Sequence, residues 1–153
     1  TCALPISVLL VGQERKKGMH IILCVDDRLG MLFNGRRLSR DSALVEDAVK
    51  LCKGSKLWVN EYSDGLFSRY GYSVQICDPD FPENAGTDDF CFMEDCDPAP
   101  YRDKIGSIVL YRWNRRYPAD TYFDAALLQG RRLTGQKEFP GSSHEKITRE
   151  VYR

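Results

Sequence analysis

The run His20-Ile21-Ile22-Leu23-Cys24-Val25 has the length of one strand and offers almost no polar face. A half-exposed strand would alternate apolar and polar residues, so this one has to be covered on both sides, as the strands of parallel sheets are. It ends at Asp26-Asp27-Arg28-Leu29-Gly30, a turn-forming stretch. A buried strand delivering the chain to a turn is therefore the first expectation.

Other segments fall into place around it. Asp41 to Leu51 carries Leu44, Ala48 and Leu51 at helical spacing, with Ser39 or Asp41 able to cap its start and Gly54 beyond its end. Short strands are expected at 56–60, 72–77, 90–93 and 107–113, with 78–86 a proline-bearing loop. Residues 131–139 read as a further strand. Ser142-x-x-Glu145 has the form of a capping box opening a helix, yet Ile147, Arg149 and Val151 alternate as in a strand, so spacing leaves both open.

The chain opens without methionine. Thr1 to Ile6 is what the end of a common sequencing adapter encodes, and Gln13 to Gly18 suits a translated purine-rich leader, so residues 1–18 are expected to be non-native and 19–153 the domain. That length suits one domain. The 22 basic and 22 acidic residues become 19 against 21 without the leader, so no bulk charge points to nucleic acid. Five cysteines then remain, without CxxC spacing, and reduced thiols in a cytoplasmic protein are the default. No membrane association is expected, because the apolar run at 3–11 is broken by Pro5 and far shorter than a span.

The order of these elements resembles the dihydrofolate reductase fold over nearly all of 19–153. Ile21–Val25 followed by Leu29-Gly30-Met31 is similar to that family's first strand and the Ile-Gly-Met turn opening its mobile loop. Ser39-Arg40-Asp41-x-x-Leu44 resembles the start of its first long helix, where an acidic residue faces the pterin. Ile108–Trp113 and Ala119-Asp120-Thr121-x-Phe123 resemble a later strand and its Gly-Asp-Thr-x-Phe motif. The resemblance implies a single α/β domain with a central, mostly parallel sheet, antiparallel C-terminal strands and few flanking helices. It also favours strand over helix for 147–153.

The family holds the phosphates of NADPH with an Arg-Thr pair and a Gly-Gly turn. The matching places here read Asn60-Glu61-Tyr62-Ser63 and Met93-Glu94-Asp95, where carboxylates would repel an anion. No cofactor is therefore expected; NADPH belongs only to the alternative reading of a divergent reductase. Residues 25–41 and 142–148 also resemble a group of short bacterial proteins that carry the label ribonuclease Z. That label does not fit, since ribonuclease Z needs a His-x-His-x-Asp-His cluster and this chain has two histidines in all.

Candidate site residues carry two readings each. Asp41 is the candidate catalytic acid the resemblance implies, a role suited to a raised pKa, or a helix N-terminal carboxylate. Arg36, Arg37 and Arg40 can bind an anion together with Leu29 and Met31, or pair with Asp26, Asp27 and Glu46 in a solvated loop. Asp26-Asp27 reads as a turn former before a cation site. Cys91-x4-Cys96 lacks the histidines a zinc site would add, and no metal is expected. Tyr111 to Tyr117 interleaves bases with aromatics as single-strand RNA binders do, though strand alternation would bury Tyr111 and Trp113. Ser142-Ser143-His144-Glu145 is no triad by itself, because adjacent side chains diverge. The expectation is thus a small bacterial protein of this fold, without the NADPH motifs, that binds a small anionic or heterocyclic ligand. A divergent reductase and an RNA- or protein-binding module are the alternatives.

Overall fold

In a computed structural model, which describes residues 17–153, the apolar run forms strand β1, Met19–Val25. Ile21, Ile22 and Leu23 are all inaccessible to solvent, as a strand covered on both faces requires. The chain then builds β2 (Gly30–Phe33), β3 (Arg36–Arg37), α1 (Ser42–Leu51), β4 (Leu57–Val59), α2 (Glu61–Arg69) and β5 (Ile76–Cys77). A four-residue helix α3 (Phe81–Asn84), β6 (Phe90–Phe92), β7 (Ile105–Arg112), β8 (Thr121–Tyr122), β9 (Leu133–Phe139) and β10 (Ile147–Tyr152) complete it, with short 3-10 turns at Ala99–Lys104 and Ala125–Leu128.

Seven strands form one sheet in the order β5-β4-β6-β1-β7-β10-β9. Pairing is parallel from β5 through β7 and antiparallel at β10 and β9, which is the sheet the resemblance implies. β1 is central, with Ile21 opposite Cys91 on one side and Ile108 on the other. Its odd-numbered residues Met19, Ile21, Leu23 and Val25 pack with Met31, Phe81, Ile108 and Phe123. Ile22, on the opposite face, packs with Leu44, Val45 and Ala48 of α1, with Phe67 and with Tyr111. One face is thus covered by true helices, the other by a hairpin, a single helical turn and the 125–128 turn.

Helix α1 is locked to the sheet by more than its apolar stripe. The buried Asp47 carboxylate accepts the Tyr111 hydroxyl at 2.7 Å, Lys137 at 3.0 Å and Arg149 at 2.7 Å, so one acid ties the helix to β7, β9 and β10. Burial raises its pKa, but Tyr111 and the two cations offset that and leave the group below its ordinary value.

Several expectations are corrected. Only Ile76–Cys77 of the expected 72–77 strand is extended in the sheet, because its neighbour β4 is three residues long and Val74 points into solvent. Loop 78–86 contains α3, whose entry is held by the Asp78 carboxylate accepting the Asp80 amide at 2.8 Å and the Asn84 side chain at 2.7 Å. Of the two readings open after Ser142, the strand that the resemblance favours is the one formed, β10. Ser142 does cap a helix, since its hydroxyl accepts the Ser42 amide at 2.9 Å, but that helix is α1.

The Leu29-Gly30-Met31 turn leads into a hairpin instead of an open loop. Asn34 and Gly35 both have positive φ, 53° and 74°, the pairing a two-residue type I′ turn needs, and β2 pairs on its other edge with β8. Among the described residues no helix is long and apolar enough to cross a membrane. Gly35→Ala is expected to lower the unfolding free energy by about 1 kcal/mol, because nothing crowds the site and only the left-handed backbone opposes a Cβ; urea unfolding of the two proteins measures it.

Candidate functional site

Two places concentrate the residues that chemistry would use. The first is a cleft of about 460 Å³ where the hairpin meets the segment beyond β6. Met31 and Leu32 form its apolar wall, and Glu94, Asp95, Asp97 and Asp124 its polar one. The hairpin wall is held by β8 and its flanks: the Asn34 amide donates to the Asp120 carboxylate at 2.9 Å, and the Phe123 amide donates to the Leu29 carbonyl at 2.8 Å. Leu29 sits at φ 66°, a conformation costly for a leucine, which the Asp26 turn and Phe123 impose from both sides.

The three arginines have different surroundings. Arg37 grips Glu94 with two parallel bonds of 2.8 and 2.9 Å, donates to the Tyr62 carbonyl at 3.2 Å and lies 4.1 Å over the Tyr62 ring. Burial works against its charge, but Glu94 raises its pKa above the ordinary value. Ser63 donates its hydroxyl to the same Glu94 at 2.8 Å, so this pair clamps the hairpin to α2. Arg36 and Arg37 both line a 390 Å³ groove with Phe33, Leu38, Tyr117 and Pro118, and Arg40 is exposed before α1.

The stretches 60–64 and 94–95 are acidic in space as well. Asn60 caps α2 by accepting the Ser63 amide at 3.0 Å, Glu61 and Asp64 stand in the helix's first turn, and Asp95 accepts the Asn60 amide group at 2.7 Å. The positive end of that helix is neutralised from within. Of the basic and aromatic stretch at 111–117, Tyr111 and Trp113 are buried and Arg112 is paired to Glu150 at 2.6 Å.

The second place surrounds Asp41, which is 1% exposed. It is the N-cap of α1: its Oδ1 accepts the amides of Ala43 and Leu44 at 2.9 and 3.3 Å. The same oxygen accepts the Ser142 amide at 2.9 Å, while Oδ2 accepts the Ser143 amide at 2.8 Å and faces His144 Nδ1 at 3.0 Å. Burial raises the pKa of such a carboxyl, but the Ser142 and Ser143 amides and His144 outweigh it and hold the group well below the ordinary 3.8. The shift is therefore opposite to that of a protonated acid.

His144 itself is enclosed. Trp113 stacks on it with centroids 4.6 Å apart and planes 26° apart. Its Nε2 meets the Tyr117 hydroxyl at 2.7 Å and the Ser39 hydroxyl at 3.2 Å. Tyr117 is placed in turn by the buried Asp26 carboxylate, which accepts its amide at 3.0 Å along with those of Arg28 and Gly30 at 2.9 and 2.7 Å. Sequence reasoning names Asp41, Ser39 and His144 separately and does not single out Tyr117 on its own. Nothing in spacing joins residues 103 apart; the nearest signal is Gly141, where a Cβ would stand 2.5 Å from Asp41 Oδ2 and 2.8 Å from the His144 carbonyl.

No family model matches the chain, and no curated protein does. Solved structures share the fold. Dihydrofolate reductase from Enterococcus faecalis, complexed with NADP(H) and RAB-propyl, superposes with a TM-score of 0.58 over 89% of this chain and 95% of its own, at 7% sequence identity. The likeness at that identity is one of fold.

Asp41→Asn keeps the cap oxygen but presents amide protons to the Ser143 N–H and His144, so a loss of about 3 kcal/mol is expected. Because the folded pKa is depressed, Asp41's contribution is complete above the unfolded value of 3.8 and drains away as pH falls below it. Urea titrations at neutral and acid pH should show the two proteins converging as pH falls. Gly141→Ala is expected to cost about 1–3 kcal/mol by forcing backbone and carboxylate apart, measured in the same way.

Proposed function

We propose that the protein binds a small heterocycle in the 460 Å³ cleft and does not use NADPH there. The observation that carries this reading is the set of carboxylates around the cleft. Asp95, Asp97 and Asp124 each commit one oxygen to a local bond, from the Asn60 side chain, the Ala99 amide and the Ala126 amide. Their second oxygens are acceptors for ligand N–H groups, while Met31 and Leu32 supply an apolar face for a flat ring. Of the anionic and heterocyclic ligands open at the level of sequence, this surface favours a neutral or cationic heterocycle rich in donors.

The same carboxylates oppose a dinucleotide phosphate, and the half-buried Arg37 beside Glu94 of the cleft wall is already paired with that acid. A binding protein without hydride transfer is therefore favoured over a divergent reductase. Asp41 belongs in this reading to the scaffold: it sets the start of α1 and the turn before β10 and has no spare oxygen for a heterocycle.

Calorimetric titration with 2,4-diaminopyrimidine and with NADPH tests the proposal. The expected outcome is binding of the diamine that weakens with salt and falls by ~2- to 5-fold in each of Asp95→Asn and Asp97→Asn, with no heat from millimolar NADPH. Saturable NADPH binding with substrate-dependent oxidation would establish the reductase instead.

A further inference from the structure

The residues around His144 have an order that the proposed ligand cleft does not use. Ser39 and Asp41 are two apart in the segment that leads into α1, and their side chains reach the same ring. Between them they hold the two nitrogens of one imidazole: Asp41 Oδ2 lies 3.0 Å from Nδ1, and Ser39 Oγ lies 3.2 Å from Nε2. Because Asp41 is a carboxylate acceptor, Nδ1 carries the proton, and the Nε2 lone pair faces the hydroxyls. The Trp113 stack and the Ser143 amide on Asp41 prevent the ring and the acid from drifting apart.

We propose that Ser39, His144 and Asp41 form a charge-relay hydrolytic site, with Ser39 the nucleophile, His144 its general base and Asp41 the residue that positions the imidazole, acting on small carboxylic esters. The connectivity is hydroxyl to Nε2 and Nδ1 to carboxylate, which is what such a site requires whatever the fold. A buried staple would need the Nδ1 contact alone. It would not need a second hydroxyl on Nε2 beside the one Tyr117 already supplies at 2.7 Å.

Ser39 is half-buried, unlike Asp41 and His144, so the nucleophile is the member of the group that solvent reaches. The 390 Å³ groove that runs past Leu38 and Tyr117, with Phe33 and Pro118 as apolar walls, gives an acyl group a place to lie. Tyr117 has the part of oxyanion donor: its hydroxyl turns from Nε2 to the carbonyl oxygen as the ester enters, leaving Nε2 to Ser39.

In the first half-reaction the Ser39 Oγ–carbon bond forms as its proton passes to Nε2. The tetrahedral oxyanion then collapses, the ester C–O bond breaks, and the departing alcohol takes the proton from His144. In the second, water gives its proton to Nε2 and attacks the acyl carbon, and the Ser39 oxygen leaves with that proton to release the carboxylic acid. No other reactant is required.

The full chain treated with an alkyl fluorophosphonate, which esterifies an activated serine with loss of fluoride, provides the test. A single adduct mapping to Ser39 by peptide mass spectrometry is expected, together with turnover of 4-nitrophenyl acetate. Ser39→Ala, a small change at a half-exposed position, should lose both, and His144→Gln should slow the labelling of Ser39 by ~100-fold or more, the size of a lost general base. No adduct on Ser39 in the folded protein, or turnover unchanged in Ser39→Ala, would overturn the proposal. That result stands even if His144→Gln fails to fold.

Discussion

A single buried carboxylate decides how the two halves of this chain meet. Asp41 accepts four backbone amides, two from the helix it caps and two from the Ser142–Ser143 turn before the last strand. Left without a partner where they are buried, these amides would cost about 1–3 kcal/mol each. The helix start, the C-terminal hairpin and His144 are consequently positioned together. Asp26 does the same work just beyond the end of β1, where it joins the Leu29 turn to Tyr117. These two acids place a histidine and a tyrosine, 27 residues apart, within a hydrogen bond of each other.

A parallel sheet with an antiparallel end is a fold this chain shares with a dihydrofolate reductase solved in complex with NADP(H). The side chains that line the cleft include four carboxylates beside Met31 and Leu32, and one of those acids, Glu94, is bound by Arg37. Among the described residues, the side of the sheet away from α1 is covered by the β2–β3 hairpin, the helical turn α3 and the 125–128 turn. Phe81 and Phe123 are among the buried residues there.

Much of the architecture was legible in the chain because it rests on local patterns. β1 and β7 are continuous apolar runs and α1 has helical spacing behind an aspartate, while the mostly parallel sheet was implied by the resemblance. The Asn34-Gly35 hairpin is written in the residues too, but the family pattern, which puts a mobile loop there, masks it. Strand 72–77 is shortened by its neighbour β4, which no property of Tyr72 or Val74 reveals. The sites were legible only as ingredients. Arg37 meets Glu94 across 57 residues, and His144 meets Ser39 across 105, distances that composition and spacing do not encode. The capping-box serine shows the limit well: Ser142 caps a helix, but one a hundred residues before it.

The account turns on Asp41 fixing one tautomer of His144, with the proton on Nδ1 and a bare Nε2 turned to Tyr117 and Ser39. Imidazole nitrogen NMR on ¹⁵N-labelled protein at alkaline pH reads this directly. The account predicts a protonated Nδ1 and an unprotonated, hydrogen-bonded Nε2 for His144. A proton resident on Nε2, or fast averaging between the two nitrogens, would contradict it.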